Sequence, residues 1–182
     1  VGVEGRVDDH PSGIPALVMA LIDPDFINLA GPPSLDSCTR DIYQADARFT
    51  PAALLAMVQG VASAALHLHG RGILHGDLYA HNMLHSLQEE GLLLGDFGAA
   101  SCYERTDGEL AGLLERLEVR AFGCLLEELL ARCTPRDDRL DALHVLVDDC
   151  IAEAVAARPD FTEIAGRLAA VAAVICAEPV LL

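Results

Sequence analysis

The sequence predicts an α+β protein in which helix predominates. Apolar residues fill 52% of the 182 positions, chiefly Leu and Ala, while aromatics reach only 4% and Trp is absent. That mixture favours helices packed on helices over a sheet sandwich. Several long stretches repeat their apolar residues at helical spacing, whereas the other apolar runs are short and bounded by Gly, Pro or Asp, as strands are. The length suffices for one domain with a real core, and no composition shift divides the chain in two.

Residues 2–7 and 16–22 are expected to be strands, the second (ALVMALI) buried, with DDHPSGIP turning between them. After the breaker Gly31-Pro32-Pro33, a short helix is expected over 34–43. Thr50 before Pro51 pairs a hydroxyl N-cap with proline at the first helical position. Leu54, Leu55, Val58, Val61, Ala62, Ala65 and Leu66 then recur at helical spacing, predicting a helix over 51–69 closed by Gly70. Two short apolar runs follow, 72–75 and 91–94. Further helices are expected over about 116–132, with Val119, Phe122, Leu126, Leu129 and Leu130 on the buried stripe, over 138–156, and from Pro159-Asp160 to about 176.

The net charge is −16. Phosphate neutralisation needs a basic face, so a nucleic-acid partner is not expected. An acidic chain is likewise repelled by an anionic bilayer surface, and the longest apolar stretch, 168–177, is too short to span one. No secretory leader is visible, and the first residue is Val1, so the chain is expected to be a cytoplasmic piece of something longer. Cys38, Cys102, Cys124, Cys133, Cys150 and Cys176 form no C-x-x-C pair. They read as reduced thiols, the last four within apolar helical patterns. Five histidines fall between His67 and His85, but neither their spacing nor their context favours a metal cluster. The acidic pairs Glu89-Glu90, Asp137-Asp138 and Asp148-Asp149 read as solvated faces.

Chemistry concentrates in residues 73–101, ILHGDLYAHNMLHSLQEEGLLLGDFGAAS. His75-Gly76-Asp77 is followed by Asn82 and then by Asp96-Phe97-Gly98. Phosphoryl transfer needs positioning and charge neutralisation, and Mg²⁺ takes hard oxygen ligands such as carboxylate and amide oxygens. The ordered set resembles the catalytic loop and D-F-G of protein kinases of the eukaryotic-like fold, in an atypical H-G-D-L-Y-A-H-N form of bacterial type. The flanks resemble that family too: Glu118-Val119-Arg120-Ala121-Phe122-Gly123 its central-helix opening, and Cys150 with Arg158-Pro159-Asp160-Phe161 its R-P-x-F ending. Residues 17–22 resemble its last small-lobe strand and hinge.

The resemblance implies a kinase C-terminal lobe over 23–182 and a small-lobe remnant with hinge over 1–22. It implies ATP and Mg²⁺ as cofactors, Asp96 and Asn82 as metal ligands, and Asp77 as the residue that orients the acceptor hydroxyl and takes its proton. Met19 would be the gatekeeper, the backbone of Ala20 and Ile22 would meet the adenine edge, and Leu84 would floor it. Glu118 would anchor the catalytic-loop backbone. Arg158 would pair with Glu104, Glu109 or Glu115, with Glu115 preferred.

The departures narrow that picture. All 12 basic residues are arginine, so the lysine that grips the α- and β-phosphates is missing, as are a Gly-rich phosphate loop and the partner Glu of the regulatory helix. Gly76 replaces the usual Arg, which argues against activation by loop phosphorylation. Tyr79 stands where Ser/Thr kinases have Lys, and the segment after Asp96 is short. The expected function is a protein kinase in the parent protein, acting on a protein substrate or the parent chain itself, with the present chain inactive or nearly so. The alternatives are a small-molecule kinase resembling the aminoglycoside and choline phosphotransferases, or a non-catalytic binding module.

Overall fold

The computed structural model describes residues 3–37, 40–86 and 91–176, the side chain of Cys176 excepted. The expectations for Gly2, Cys38, Glu89-Glu90 and the Cys176 side chain lie outside those residues. The fold is α+β and mostly helical. Strands β1 (Val3–Val7) and β2 (Ala16–Met19) form an antiparallel ribbon with an irregularity between Val3 and Gly5. The second strand is shorter than the expected 16–22, and it is not buried: Leu17, Met19 and Leu21 are 62%, 54% and 97% exposed. A continuous apolar run suggests a strand covered on both faces, but these two strands pair only with each other.

Strand β3 (Phe26–Asn28) pairs antiparallel with a later strand through residues 84–86. The helix expected over 34–43 does not form among the described residues. Ser34 and Ser37 bond each other's side chains and backbone in a local turn, offering the chain an alternative to helix. Gly31 and Ile42 then exchange both backbone hydrogen bonds, at 2.8 and 3.0 Å, which pulls residue 42 into an extended bridge.

Helix α1 (Pro51–His69) has the expected bounds, with Thr50 Oγ1 accepting from Ala53 N at 3.1 Å and Gly70 at the C-cap. By length and composition alone it is apolar enough to cross a bilayer. Its fully buried Leu54, Val58, Val61 and Ala65 are, however, core side chains, packed against later helices. Strand β4 (Ile73–Leu74) follows, then β5 (Met83–Ser86), β6 (Leu92–Leu94) and β7 (Ser101–Cys102). They make a β3–β5–β6 sheet and a β4–β7 pair, all antiparallel.

Helix α2 (Gly108–Leu130) begins well before the expected 116, with Asp107 Oδ1 accepting from Leu110 N. Helix α3 (Asp141–Cys150) stops short of the expected 156, with single 3₁₀ turns at Asp138–Leu140 and Val155–Ala157. Its end is set from outside: Arg120 and Arg158 donate to the carbonyls of Ile151 and Ala152, at 3.0 and 2.8 Å. Helix α4 (Phe161–Cys176) matches expectation, with Asp160 Oδ1 accepting from Glu163 N. The core lies where α1 packs on α4 and α2 on α3, around Phe122, Phe161, Leu126 and Leu143. There Gly123 permits a close approach, since a Cβ on it would stand 2.6 Å from Cys150 Cβ. Cys150 is buried, Cys124 and Cys133 are half-buried, and Cys102 is exposed, all four as free thiols. The Asp137-Asp138 and Asp148-Asp149 faces are not simply solvated, because Asp137 pairs with Arg139 and Asp149 with Arg167.

Candidate active site

Alternation in the segment DLYAHN builds the loop expected to be catalytic. Leu78, Ala80 and Met83 are at most 1% exposed, so they plant the loop in the core. The intervening Asp77, Tyr79, His81 and Asn82 stay half-buried at the surface. A single 3₁₀ turn at Ala80–Asn82 brings Asn82 back over Asp77. The Asn82 amide nitrogen donates to the Asp77 carbonyl at 2.9 Å and to Asp77 Oδ2 at 2.8 Å. Both partners can only accept, so the nitrogen must face them and Asn82 Oδ1 points to the other side.

The loop expected to bind metal, residues 95–98, reaches the same place through its backbone. Gly95 N donates to Asn82 O at 2.9 Å. His75 Nε2 donates to Gly95 O at 2.9 Å, and the same imidazole meets the Phe97 ring edge-on at 4.7 Å. Asp96 itself sits in the left-handed region at φ 50, exposed, with Oδ1 accepting from Gly98 N at 3.1 Å. Asp tolerates that conformation better than most residues, and strained backbone of this kind gathers at functional sites. The structure thus brings Asp77 and Asn82 into direct contact and joins Asp96 to them through Gly95.

The loop is held from below. Glu118 is 3% exposed; its Oε1 accepts from Gly76 N and its Oε2 from His69 Nε2, each at 2.6 Å. The anchoring expected of Glu118 is therefore present, with His69 as a second tether. His69 in turn stacks on Phe161 at 5.5 Å and lies 2.8 Å through Nδ1 from the Tyr103 hydroxyl. Gly76 explains its own identity. Its φ is 82, and a Cβ there would stand 2.5 Å from Ala99 O, so the usual Arg has no room beside the metal loop. Gly72 does the same against Tyr103 O, which together with the β4–β7 pair fastens residues 99–103 to the loop.

Arg158 does not meet the expected glutamate. Buried at 6% exposure, it donates to the backbone carbonyls of Ala152 and Arg116, and it makes no ion pair among the described residues. Glu115 instead accepts from Phe161 N at 2.9 Å. Here the helical start of α2 at Gly108 replaces an extended activation segment, and the arginine bonds one carbonyl inside α2 and one just past α3 instead of an acid.

The residues expected around adenine lie on separate elements. Met19 ends β2 and is exposed, Ala20 and Ile22 lie in the link to β3, and Leu84 is half-buried in β5 opposite Asn28 and Leu93. The five histidines have separate partners: His67 with Arg71, His69 and His75 as above, His85 edge-on to Phe49 at 5.9 Å, and His81 with Asp41. Among the described residues no three His, Cys, Asp or Glu side chains gather as a metal site. A site built on Asp96 and Asn82 would not need them, since Mg²⁺ keeps waters and phosphate oxygens as its other ligands. The exposed Asp96 carboxylate and Asn82 Oδ1, which has no hydrogen-bond partner among the described residues, fit such an ion. Burial, with Cys124, Asp77 and Asp41 nearby, pushes the Tyr79 phenol above its ordinary value. Sequence reasoning missed Asp41 and gave His81 no role. The run of histidines was the available signal for the second, and nothing marked the first.

A family model described as lipopolysaccharide kinase (Kdo/WaaP) matches residues 28–109, less than half of the chain. The matched stretch contains Asp77, Asn82 and Asp96. No curated protein matches the chain. The match supports a kinase-like protein with phosphotransferase activity, and with it the use of ATP. It is a match to a family of lipopolysaccharide kinases, not to the eukaryotic-like protein-kinase type that the motifs suggested.

Proposed function

We propose that this chain carries the base-bearing and metal-binding side of an ATP-dependent kinase site whose acceptor is a saccharide hydroxyl. The observation that carries the reading is the Asp77–Asn82 hydrogen bond, tied through Gly95 to Asp96. In this reading Asp77 orients the acceptor hydroxyl. As its oxygen bonds to the γ-phosphorus, the bond to the β–γ bridging oxygen breaks, ADP leaves, and the proton passes to the Asp77 carboxylate. Asn82 Oδ1 and the Asp96 carboxylate would hold Mg²⁺, which when bound neutralises charge on the phosphates. Residues 1–22 are then a small-lobe remnant, with Met19, Ala20 and Ile22 along the adenine edge and Leu84 beneath it. The cytoplasm, where ATP is abundant, is the compartment that suits this chemistry.

Two features support a saccharide over a protein acceptor: the family match, and the short pinned segment 99–107, which leaves little platform for an extended peptide. A protein acceptor, the parent chain included, is favoured instead by the Glu118 anchor that accompanies the protein-kinase-like EVRAFG opening. The test is transfer of label from Mg-[γ-³²P]ATP, using the full-length protein with lipopolysaccharide-type saccharides, simple alcohols and generic proteins. Label on saccharide, lowered roughly 10²–10⁴-fold by Asp77→Asn, is expected. Label on protein alone would move the acceptor assignment. Tight Mg-ATP binding without transfer to anything would make the chain a binding module. Because the 182 residues contain no lysine, the isolated chain is expected to bind Mg-ATP weakly by calorimetry.

A further inference from the structure

Beside the Asp77–Asn82 pair lies an arrangement that the phosphoryl-transfer reading leaves unused. Asp41, in the link between β3 and α1, has a side chain only 1% exposed. Its Oδ2 accepts from the backbone N of His81 at 3.0 Å, and its Oδ1 lies 2.8 Å from His81 Nδ1. A carboxylate used this way only accepts, so Nδ1 carries the hydrogen and the ring is fixed in one orientation. The opposite nitrogen, Nε2, stands 3.6 Å from Asp77 Oδ2. The other face of the ring is covered by Tyr79, stacked at 6.0 Å and 14°. Asp41 is itself held on its C-terminal side, by the Gly31–Ile42 bridge and by Tyr43, which is 7% exposed and donates to Glu128 Oε2 at 3.1 Å.

We propose that Asp41 and His81 are positioning residues for Asp77, an inference that rests on the kinase reading above. Asn82 holds Asp77 Oδ2 from one side, and His81, oriented by Asp41, sets its polar Nε2 edge against the same oxygen from the other. The two carboxylate oxygens thereby become unequal. Oδ2 is confined, while Oδ1 has no protein hydrogen bond among the described residues and faces the acceptor. Orienting a base in this way matters because misplacement by about 1 Å costs on the order of 10²-fold in rate.

The alternative is that Asp41 merely caps the turn at Ala80–Asn82. The full-length protein distinguishes the two through Mg-ATP turnover with water as acceptor, measured for wild type, His81→Phe, Asp41→Asn, Asp77→Asn and the His81→Phe/Asp77→Asn double variant. His81→Phe keeps the stack on Tyr79 and removes both ring nitrogens. It is expected to lower kcat about 10–100-fold with the KM for ATP within about twofold, and Asp41→Asn to do the same less severely. The double variant is expected to be no slower than Asp77→Asn alone, since a residue acting through Asp77 has nothing left to orient. A loss that appears in KM, or one that multiplies in the double variant, overturns the proposal. If wild type shows no turnover, or Asp77→Asn does not lower it, the kinase reading itself fails. A crystal structure of His81→Phe decides the positioning role independently: Asp77 off Asn82 in a new rotamer supports it, and Asp77 unmoved overturns it.

Discussion

Gly76→Ala tests the claim that the catalytic loop and the metal loop are packed backbone to backbone. Two costs add at this position. Gly76 holds φ 82, where any side chain strains the backbone by roughly 1–2 kcal/mol. The new Cβ would also lie 2.5 Å from Ala99 O, with Ala99 C at 3.2 Å and its Cβ at 3.3 Å. A backbone carbonyl cannot rotate aside as a flexible side chain can, so overpacking contributes about 1–3 kcal/mol more. The sum is about 2–5 kcal/mol. For a domain of this size each kcal/mol moves Tm by about 2–4 °C, so a fall of roughly 4–20 °C is expected in a calorimetric melt. Gly13→Ala is the control: its φ is 72, but no atom lies within 4 Å of the added Cβ, so it carries only the first cost. Relief by moving Ala99 aside would instead open the β4–β7 pair and speed amide exchange at Tyr103, whose N–H bonds Gly72 O. A Gly76→Ala variant that melts within about 1 °C of wild type, with protected amides, would refute the reasoning. By the same geometry, restoring the Arg usual in protein kinases here is expected to harm the fold rather than repair activity.

Gly60 is exposed on α1 with open space around its would-be Cβ, so Gly60→Ala is expected to stabilise by about 0.5–1 kcal/mol, read as a higher Tm. Burial holds the His85 imidazole below its ordinary 6.5, so the unfolded chain binds more protons there. Stability should therefore fall as pH drops through about 6.5, and His85→Leu should flatten that part of a pH series of denaturant melts. Burial pushes the Cys150 thiol up to about 12, whereas Cys102 is exposed. Iodoacetamide followed by peptide mass mapping should label Cys102 in the native protein and Cys150 only after unfolding.

Elements whose ends are written locally were legible in the sequence. Helix α1 carries its hydroxyl cap, its proline and its closing glycine within its own span, and α4 carries Asp160 just ahead of Phe161. The start of α2 was not legible. Gly108 and Gly112 lower helix propensity there, and Leu110, Leu113 and Leu117 are 47%, 44% and 55% exposed, so no inward stripe announces those turns. The end of α3 was hidden for another reason. It is decided by Arg120, which arrives from α2, by Arg158 folding back from six residues on, and by the close approach that Gly123 permits. Residues 16–22 misled because an apolar run states what a segment could bury, not whether anything covers it.

The same division runs through the site. In the proposed function Asp77, Asn82 and Asp96 perform the chemistry, and their residue types and spacing follow from phosphate and metal requirements, so they stand out in one short segment. The groups that hold them need only a carboxylate or a ring at the right point in space, and such a point can be supplied from anywhere in the chain. Glu118 was legible because it heads the familiar EVRAFG pattern, although α2 begins ten residues earlier, and its bond to Gly76 N is present. Asp41 reaches His81 from the other direction, out of a stretch without periodicity that looked like a short helix. Arg158 shows the converse: the residue was legible, but its partners were not, because the early start of α2 removed the acidic segment it was expected to meet and offered backbone carbonyls instead. The loop is thus clamped by one acid from the chain before it and one from the chain after it. Substitution of either is expected to disturb Asp77 and Asn82 while leaving the residues that identify the loop unchanged.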